Sequence, residues 1–138
     1  MKAHFKRGIR VELPVKVEPW MKPNLEGLVK HPLYSTWAMV YHMETAARML
    51  LVPYLDKDEE AVGGAVLVKH LQPAAIHANL RVCARLVSYR DNKVTTRLEV
   101  YDKSRKIGEG SHVQVVMSKA RFVRLLRDAR TRGRHGQG

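Results

Sequence analysis

"STWAMVYHMETAARMLLVPYL", residues 35–55, decides how the rest of the chain is read. Ser35 or Thr36 supplies a helix N-cap and Pro53 a stop, so the stretch between them is a long helix. At 100° per residue, Met39, Val40, Met43, Ala46, Ala47, Leu50 and Leu51 fall on one arc, the face that belongs against a sheet. The other side holds His42, Glu44, Thr45 and Arg48, interleaved with Trp37, Tyr41, Met49 and Val52. That side is too apolar for open water, which implies a helix also covered by a second element or a second subunit. Glu44, an acid on such a surface, needs either an ion-pair partner or a chemical task.

Upstream, "IRVELPVKV" (residues 9–17) alternates, with Ile9, Val11, Leu13, Val15 and Val17 on one face of a strand, and Pro14 marks that strand as an edge. Pro19, Pro23, Gly27 and Pro32 make residues 18–34 a loop. Downstream, "LDKDEEAVGG" (55–64) reads as an acidic loop. From Gly64 onward only strands are expected, at 65–69, 78–88, 93–101 and 106–118. Turns as short as "RDN" and "DKSR" pair neighbours antiparallel, because parallel strands need long crossovers.

At 138 residues, with 45% hydrophobic and 28% charged, the chain is one folded domain rather than a disordered segment. No run approaches the ~18 apolar residues that cross a bilayer, and the basic N-terminus lacks the apolar block of a signal peptide. A cytoplasmic protein with no membrane partner is expected. Cys83, the single cysteine, has no internal disulfide partner and reads as a small buried hydrophobe in "NLRVCARLV". The seven histidines show no zinc spacing with Cys or acidic partners, so neither metal nor cofactor is expected. Gly108 and Gly110 in "IGEGSH" lack the third glycine and the strand-to-helix setting of a dinucleotide loop.

The net charge of +12 is uneven along the chain. Residues 119–134, "KARFVRLLRDARTRGR", set seven Lys or Arg against Asp128, which is half the excess. A solvated basic helix, a nucleic-acid-binding arm and a segment that meets ligand phosphates all fit this composition. Nucleic acid is the weaker of these, since stacking on bases needs interleaved aromatics and the tail offers only Phe122.

Three blocks, "STWAMVYHMETAARMLLVPYL", "VGGAVLVKHLQPA" and "KIGEGSHVQVVMSKARF", carry a more specific signal. In this order, the chain resembles the hotdog-fold acyl-CoA thioesterase family related to fluoroacetyl-CoA thioesterase, over residues 8–125. The resemblance implies the hotdog form of the α+β class, a long central helix wrapped by a curved antiparallel sheet of about five strands. The domain spans 1–125, followed by a basic, flexible tail over 126–138; two copies form a homodimer, with a tetramer also open. In that family a Thr at the helix start, a Glu eight residues later and a His ending the next strand are catalytic. Thr36, Glu44 and His70 occupy those positions here. Gly63, Gly64, Tyr34, Trp37 and His112 are the expected substrate-binding residues; His112 belongs to a block that the family sets near the site, and it also reads as a plain sheet histidine.

Thioester hydrolysis gives that set a chemical reason. It needs a nucleophile, a base that titrates near neutrality and donors for the oxyanion. His70 suits the proton transfers, Glu44 can activate water, attack or orient the imidazole, and Thr36 places a hydroxyl where free helix N–H groups favour negative charge. Eight residues along a straight helix is roughly 12 Å, however. Thr36 must therefore fold back from the preceding loop, or the set must be assembled across a dimer. Each residue also has a plainer account: Glu44 and Arg48 as an i,i+4 ion pair, Thr36 as a cap, His70 as a structural histidine.

The expected activity is hydrolysis of a short- or medium-chain acyl-CoA to free acid and CoA. The fluoroacetyl-specific enzyme carries phenylalanines before the helix, whereas "NLEGLVKHPLYS" has none and the only two in this chain are Phe5 and Phe122. Gln114 stands where that enzyme carries Arg. Leu28, Val29, Leu33, Tyr34 and Trp37 are candidates for a different acyl pocket, and Lys69, Arg121, Arg124 and Arg127 for the CoA phosphates. The alternatives are a hotdog hydratase or dehydratase, and a non-catalytic hotdog protein that binds acyl-CoA or nucleic acid.

Overall fold

The computed structural model describes residues 1–136 and consists of one five-stranded antiparallel sheet curled around one helix, with a second helix at the C-terminus. The strands are β1 (Arg10–Lys16), β2 (Glu59–His70), β3 (Asn79–Arg90), β4 (Lys93–Asp102) and β5 (Arg105–Ser118), in the order β1-β3-β4-β5-β2. The helices are α1 (Thr36–Leu51) and α2 (Lys119–His135). This is the hotdog architecture implied by the three sequence blocks. Pro14 does lie on an edge strand, opposite Arg81 of β3.

Local chemistry explains where α1 starts and stops. The Ser35 hydroxyl accepts a hydrogen bond from the Ala38 N–H at 3.0 Å, which settles the cap on Ser35 and leaves the Thr36 side chain free for another partner. Pro53 sits in a short 3₁₀ turn just past the end of α1. Ala38, Met39, Met43, Ala46, Ala47, Leu50 and Leu51 are buried against Val82, Ala84, Leu86, Val94, Leu98, Val100 and Ile107 of the sheet. Register shifts at Gly63/Ala65, Leu86/Ser88 and Val100/Tyr101 mark bulges, which increase the local twist and help the sheet curl around the helix.

Close approach demands the two glycines of "IGEGSH". A Cβ on Gly108 would run into the Met39 side chain of α1, and one on Gly110 into the Leu67 carbonyl of β2. These glycines therefore serve packing, not phosphate binding.

Three expectations are corrected: where β2 begins, the burial of Cys83 and the side of α1 that holds His42. β2 begins at Glu59, inside the stretch read as an acidic loop, because Arg48 of α1 neutralises Glu60 at 2.7 Å and the N-terminal ammonium pairs with Glu59. After β5 the Ser118 hydroxyl caps α2 through the Arg121 N–H, so residues 119–134 form the basic helix that was among their readings. The helix runs unbroken through the boundary at 125/126, and residues 137 and 138 of the expected tail lie outside the described residues. Cys83 is only half-buried, because the alternation of β3 turns Leu80, Val82, Ala84 and Leu86 inward and Cys83 outward among Glu12, Arg81 and Glu99. His42 belongs to the interior rather than the outer side of α1, because Tyr34 covers it.

Candidate active site

Two clefts flank α1, and together they hold most of the residues singled out from the sequence. The first, of about 550 Å³, lies at the helix N-terminus and is lined by Val29, Leu33, Tyr34, Thr36, Trp37, His70, Leu71 and Gln72 among others. β2 ends at His70, and α1 begins at Thr36. Their junction brings Thr36 Oγ1 to 2.9 Å from His70 Nδ1. Burial holds the His70 imidazole below its ordinary value of 6.5, while a backbone hydrogen bond at Gln72 partly opposes this. Its other nitrogen, Nε2, is buried with no partner among the described residues.

Behind this pair stands a second histidine that the sequence reading placed elsewhere. The Tyr34 hydroxyl is 2.6 Å from His42 Nδ1, and the two rings stack 13° from parallel at 5.8 Å. Burial pushes the Tyr34 phenol well above its usual range and lowers the His42 imidazole, so both are neutral and the phenol donates. Tyr34 also presents an edge to the His70 ring, with centroids 6.2 Å apart. Tyr34 is thus a buried wall behind His70.

The second cleft, of about 760 Å³, opens midway along α1 between Tyr41, Glu44, Arg48, Met49, Val52, Gly63, His112 and Gln114. Glu44 is half-exposed, and its Oε1 lies 3.3 Å from Nε2 of the buried His112. His112 Nδ1 has no partner among the described residues. With Nε2–H donated to Glu44, Nδ1 is left as a bare acceptor, a cheaper orphan than a buried N–H. Gln114, fully buried, donates from Nε2 to the Ala47 carbonyl at 3.1 Å.

The i,i+4 ion pair offered for Glu44 is absent from this arrangement. Arg48 turns instead to Glu60 and to the Ala61 carbonyl, at 2.7 and 2.8 Å. Glu44 therefore faces the cleft with His112 as its contact, and its local context is not that of a surface salt bridge. Gly63 lies beside His112, where a Cβ would come within 3.6 Å of Nε2, and Gly64 falls at the β2 bulge against Val115.

One chain thus joins Thr36 to His70 and Glu44 to His112, but it places the two pairs in different clefts. Both clefts abut apolar surface that no other element covers. Trp37, Tyr41, Met49 and Val52 of α1 and Val66 and Leu67 of β2 are exposed, and β2 is an edge strand.

Comparison with known proteins identifies the family. The family model of the fluoroacetyl-CoA-specific thioesterase matches residues 17–120, a span that contains every site residue named above. The fluoroacetyl-CoA thioesterase of Streptantibioticus cattleyicolor is 28% identical over 115 residues, 83% of each chain. A Thermus thermophilus hypothetical protein, described as a thioesterase superfamily member, superposes with a TM-score of 0.91 at 33% identity, over 96% of this chain and 98% of that one. A point mutant of the fluoroacetyl-CoA-specific thioesterase superposes with a TM-score of 0.82 at 25% identity, over 93% and 99%. With the family matched along most of its length and the fold in common, the chain belongs to the fluoroacetyl-CoA-specific thioesterase family and is a thioester hydrolase.

Proposed function

We propose that the protein is a homodimeric acyl-CoA thioesterase that cleaves short- or medium-chain acyl-CoA to free acid and CoA, with Thr36, Glu44 and His70 as its catalytic residues. The Thr36–His70 hydrogen bond at the open N-terminus of α1 carries this reading. It sets a hydroxyl and an imidazole together where free helix N–H groups can receive an oxyanion. Water, positioned and polarised by Glu44, attacks the thioester carbonyl and gives its proton to the neutral His70; the C–S bond breaks, and His70 returns that proton to the departing thiolate. Thr36 orients His70 and the thioester.

The dimer supplies what one chain lacks. The exposed edge of β2 invites a second β2 running antiparallel, which lays the partner's α1 alongside in the opposite direction. The mid-helix cleft with Glu44 then faces the partner's N-terminal cleft with Thr36 and His70. This resolves the separation of roughly 12 Å along the helix.

His112 is the positioning residue for Glu44, holding one carboxylate oxygen so that the other is turned to water. Trp37 and Tyr34 wall the acyl end. Leu33, Val29 and Leu71 extend an apolar lining beyond what a two-carbon acyl group would fill, and no phenylalanine lines either cleft. Leu28, offered for the same pocket, points into solvent.

Free-thiol release from a panel of acyl-CoA substrates tests the reading. Glu44→Gln and His70→Ala should each cut kcat by about 10²- to 10⁴-fold, and Glu44→Gln should leave thermal unfolding unchanged, since Glu44 is half-exposed and makes one contact. Full turnover in Glu44→Gln would remove the carboxylate from the mechanism.

A further inference from the structure

Helix α2 is the largest feature that the active site leaves unused. It has 17 residues, and after its first turn it leaves the body of the protein. Among the described residues of α2 only Phe122 is half-buried, and those from Val123 through Arg134 are exposed. At 100° per residue, Leu125, Ala129, Phe122, Gly133 and Leu126 occupy an arc of roughly 100°. Arginines border this arc on both sides, Arg121 and Arg132 along one edge and Arg127, Arg130 and Arg134 along the other. Asp128, the single acid, lies roughly 20° from Arg121 on the first flank, and the exposed Val123 falls between Arg130 and Arg134 on the other.

We infer that α2 is a surface-docking helix whose occupant is an anionic lipid bilayer, with the apolar arc lowered between headgroups and the flanking arginines set on lipid phosphates. Three observations choose this occupant. An apolar arc edged by cations on both sides matches a surface that is apolar below and anionic at its rim. The seven cationic residues of the helix, set against one acid, oppose the pairing of α2 with the same helix of a second copy. Nucleic acid would engage the arginines and leave Leu125 and Leu126, already 42% and 38% exposed, in water with nothing to cover them. The sequence alone led to the expectation of no membrane partner because no segment can cross one, and no helix among the described residues is long and apolar enough to do so. A helix that lies on the bilayer needs no such length. Its reach of roughly 25 Å in the interface plane is sufficient for several headgroups.

Flotation with vesicles decides the matter, using the full chain with phosphatidylcholine alone and with equal parts phosphatidylcholine and phosphatidylglycerol. The wild type should float with the mixed vesicles at low salt, should remain behind with phosphatidylcholine, and should be released as salt is raised. Arg127→Ala with Arg130→Ala should weaken binding by about 25-fold, about fivefold for each arginine removed near the surface. Leu125→Gln with Leu126→Gln should abolish the part of the binding that survives high salt. All these positions are exposed, so thermal unfolding serves as a check that the variants fold. Equal flotation with both vesicle types, or flotation unaffected by the arginine pair, overturns the inference. So does a change in solution mass in the leucine variant, which assigns the arc to a second copy of this chain. Binding to a DNA duplex that exceeds binding to the mixed vesicles and ignores the leucine pair also overturns it.

Discussion

At the scale of single residues, the site depends on which imidazoles stay neutral. His70 must accept a proton to serve as a base, and burial lowers its affinity for one. The acid limb of kcat/KM should accordingly fall below the ordinary imidazole value of 6.5. A limb at or above that value, measured with the preferred acyl-CoA, would contradict the role given to the buried ring. His42 makes the matching prediction for stability. Its folded value is depressed by burial, so the contribution is fully present above the unfolded value of 6.5 and is lost as pH falls through the window beneath it, where the unfolded chain takes up the proton first. Thermal unfolding followed against pH should show the midpoint dropping below about 6.5, and His42→Gln, which keeps an acceptor for the Tyr34 hydroxyl, should flatten that drop. Thr36, Glu44 and His70 were singled out through the resemblance of three short blocks to the hotdog thioesterase family, and the structure brings Thr36 to His70. The Tyr34–His42 pair was not legible, because helical periodicity sees the side of α1 on which His42 lies but not the loop residue folded over it.

At the scale of elements, α1 and β5 meet through missing side chains. Gly108 lets Met39 approach, and Gly110 lets the backbone of β2 approach at Leu67. The two should differ when filled. Gly108→Ala pushes against the end of a flexible methionine, which can swing, and should cost about 1 kcal/mol. Gly110→Ala pushes against a strand carbonyl that cannot move without breaking the β2–β5 ladder, and should cost about 3 kcal/mol or prevent folding. Urea unfolding of the two variants side by side checks the order, and a more damaging Gly108→Ala would show that Met39 is pinned. The same elements show how far pattern reading reached. Alternation located β1, β3, β4 and most of β5 to within a few residues, because one face of each is buried and the other is wet. It missed the first half of β2, where glutamates stand in a strand because ions from α1 and the N-terminus neutralise them. Neither partner is adjacent in sequence.

At the scale of the whole molecule, the open β2 edge and the apolar flank of α1 set the last prediction. The 15.8 kDa chain should run as a dimer in light scattering, and Leu67→Lys should shift it to the monomer mass with loss of thiol release. A monomeric wild type with full turnover would refute the shared site. Read by itself, the sequence determined the class of fold, the central helix, the direction of pairing and the residue types that thioester chemistry requires. All of these follow from local periodicity, turn chemistry and short ordered blocks. Only the tertiary structure decided that Thr36 finds His70 while Glu44 finds His112, that Arg48 leaves Glu44 for Glu60, and that α2 leaves its apolar arc uncovered. The contacts among these join residues 12 to 68 positions apart, and only the curl of the sheet around α1 determines which of them can touch.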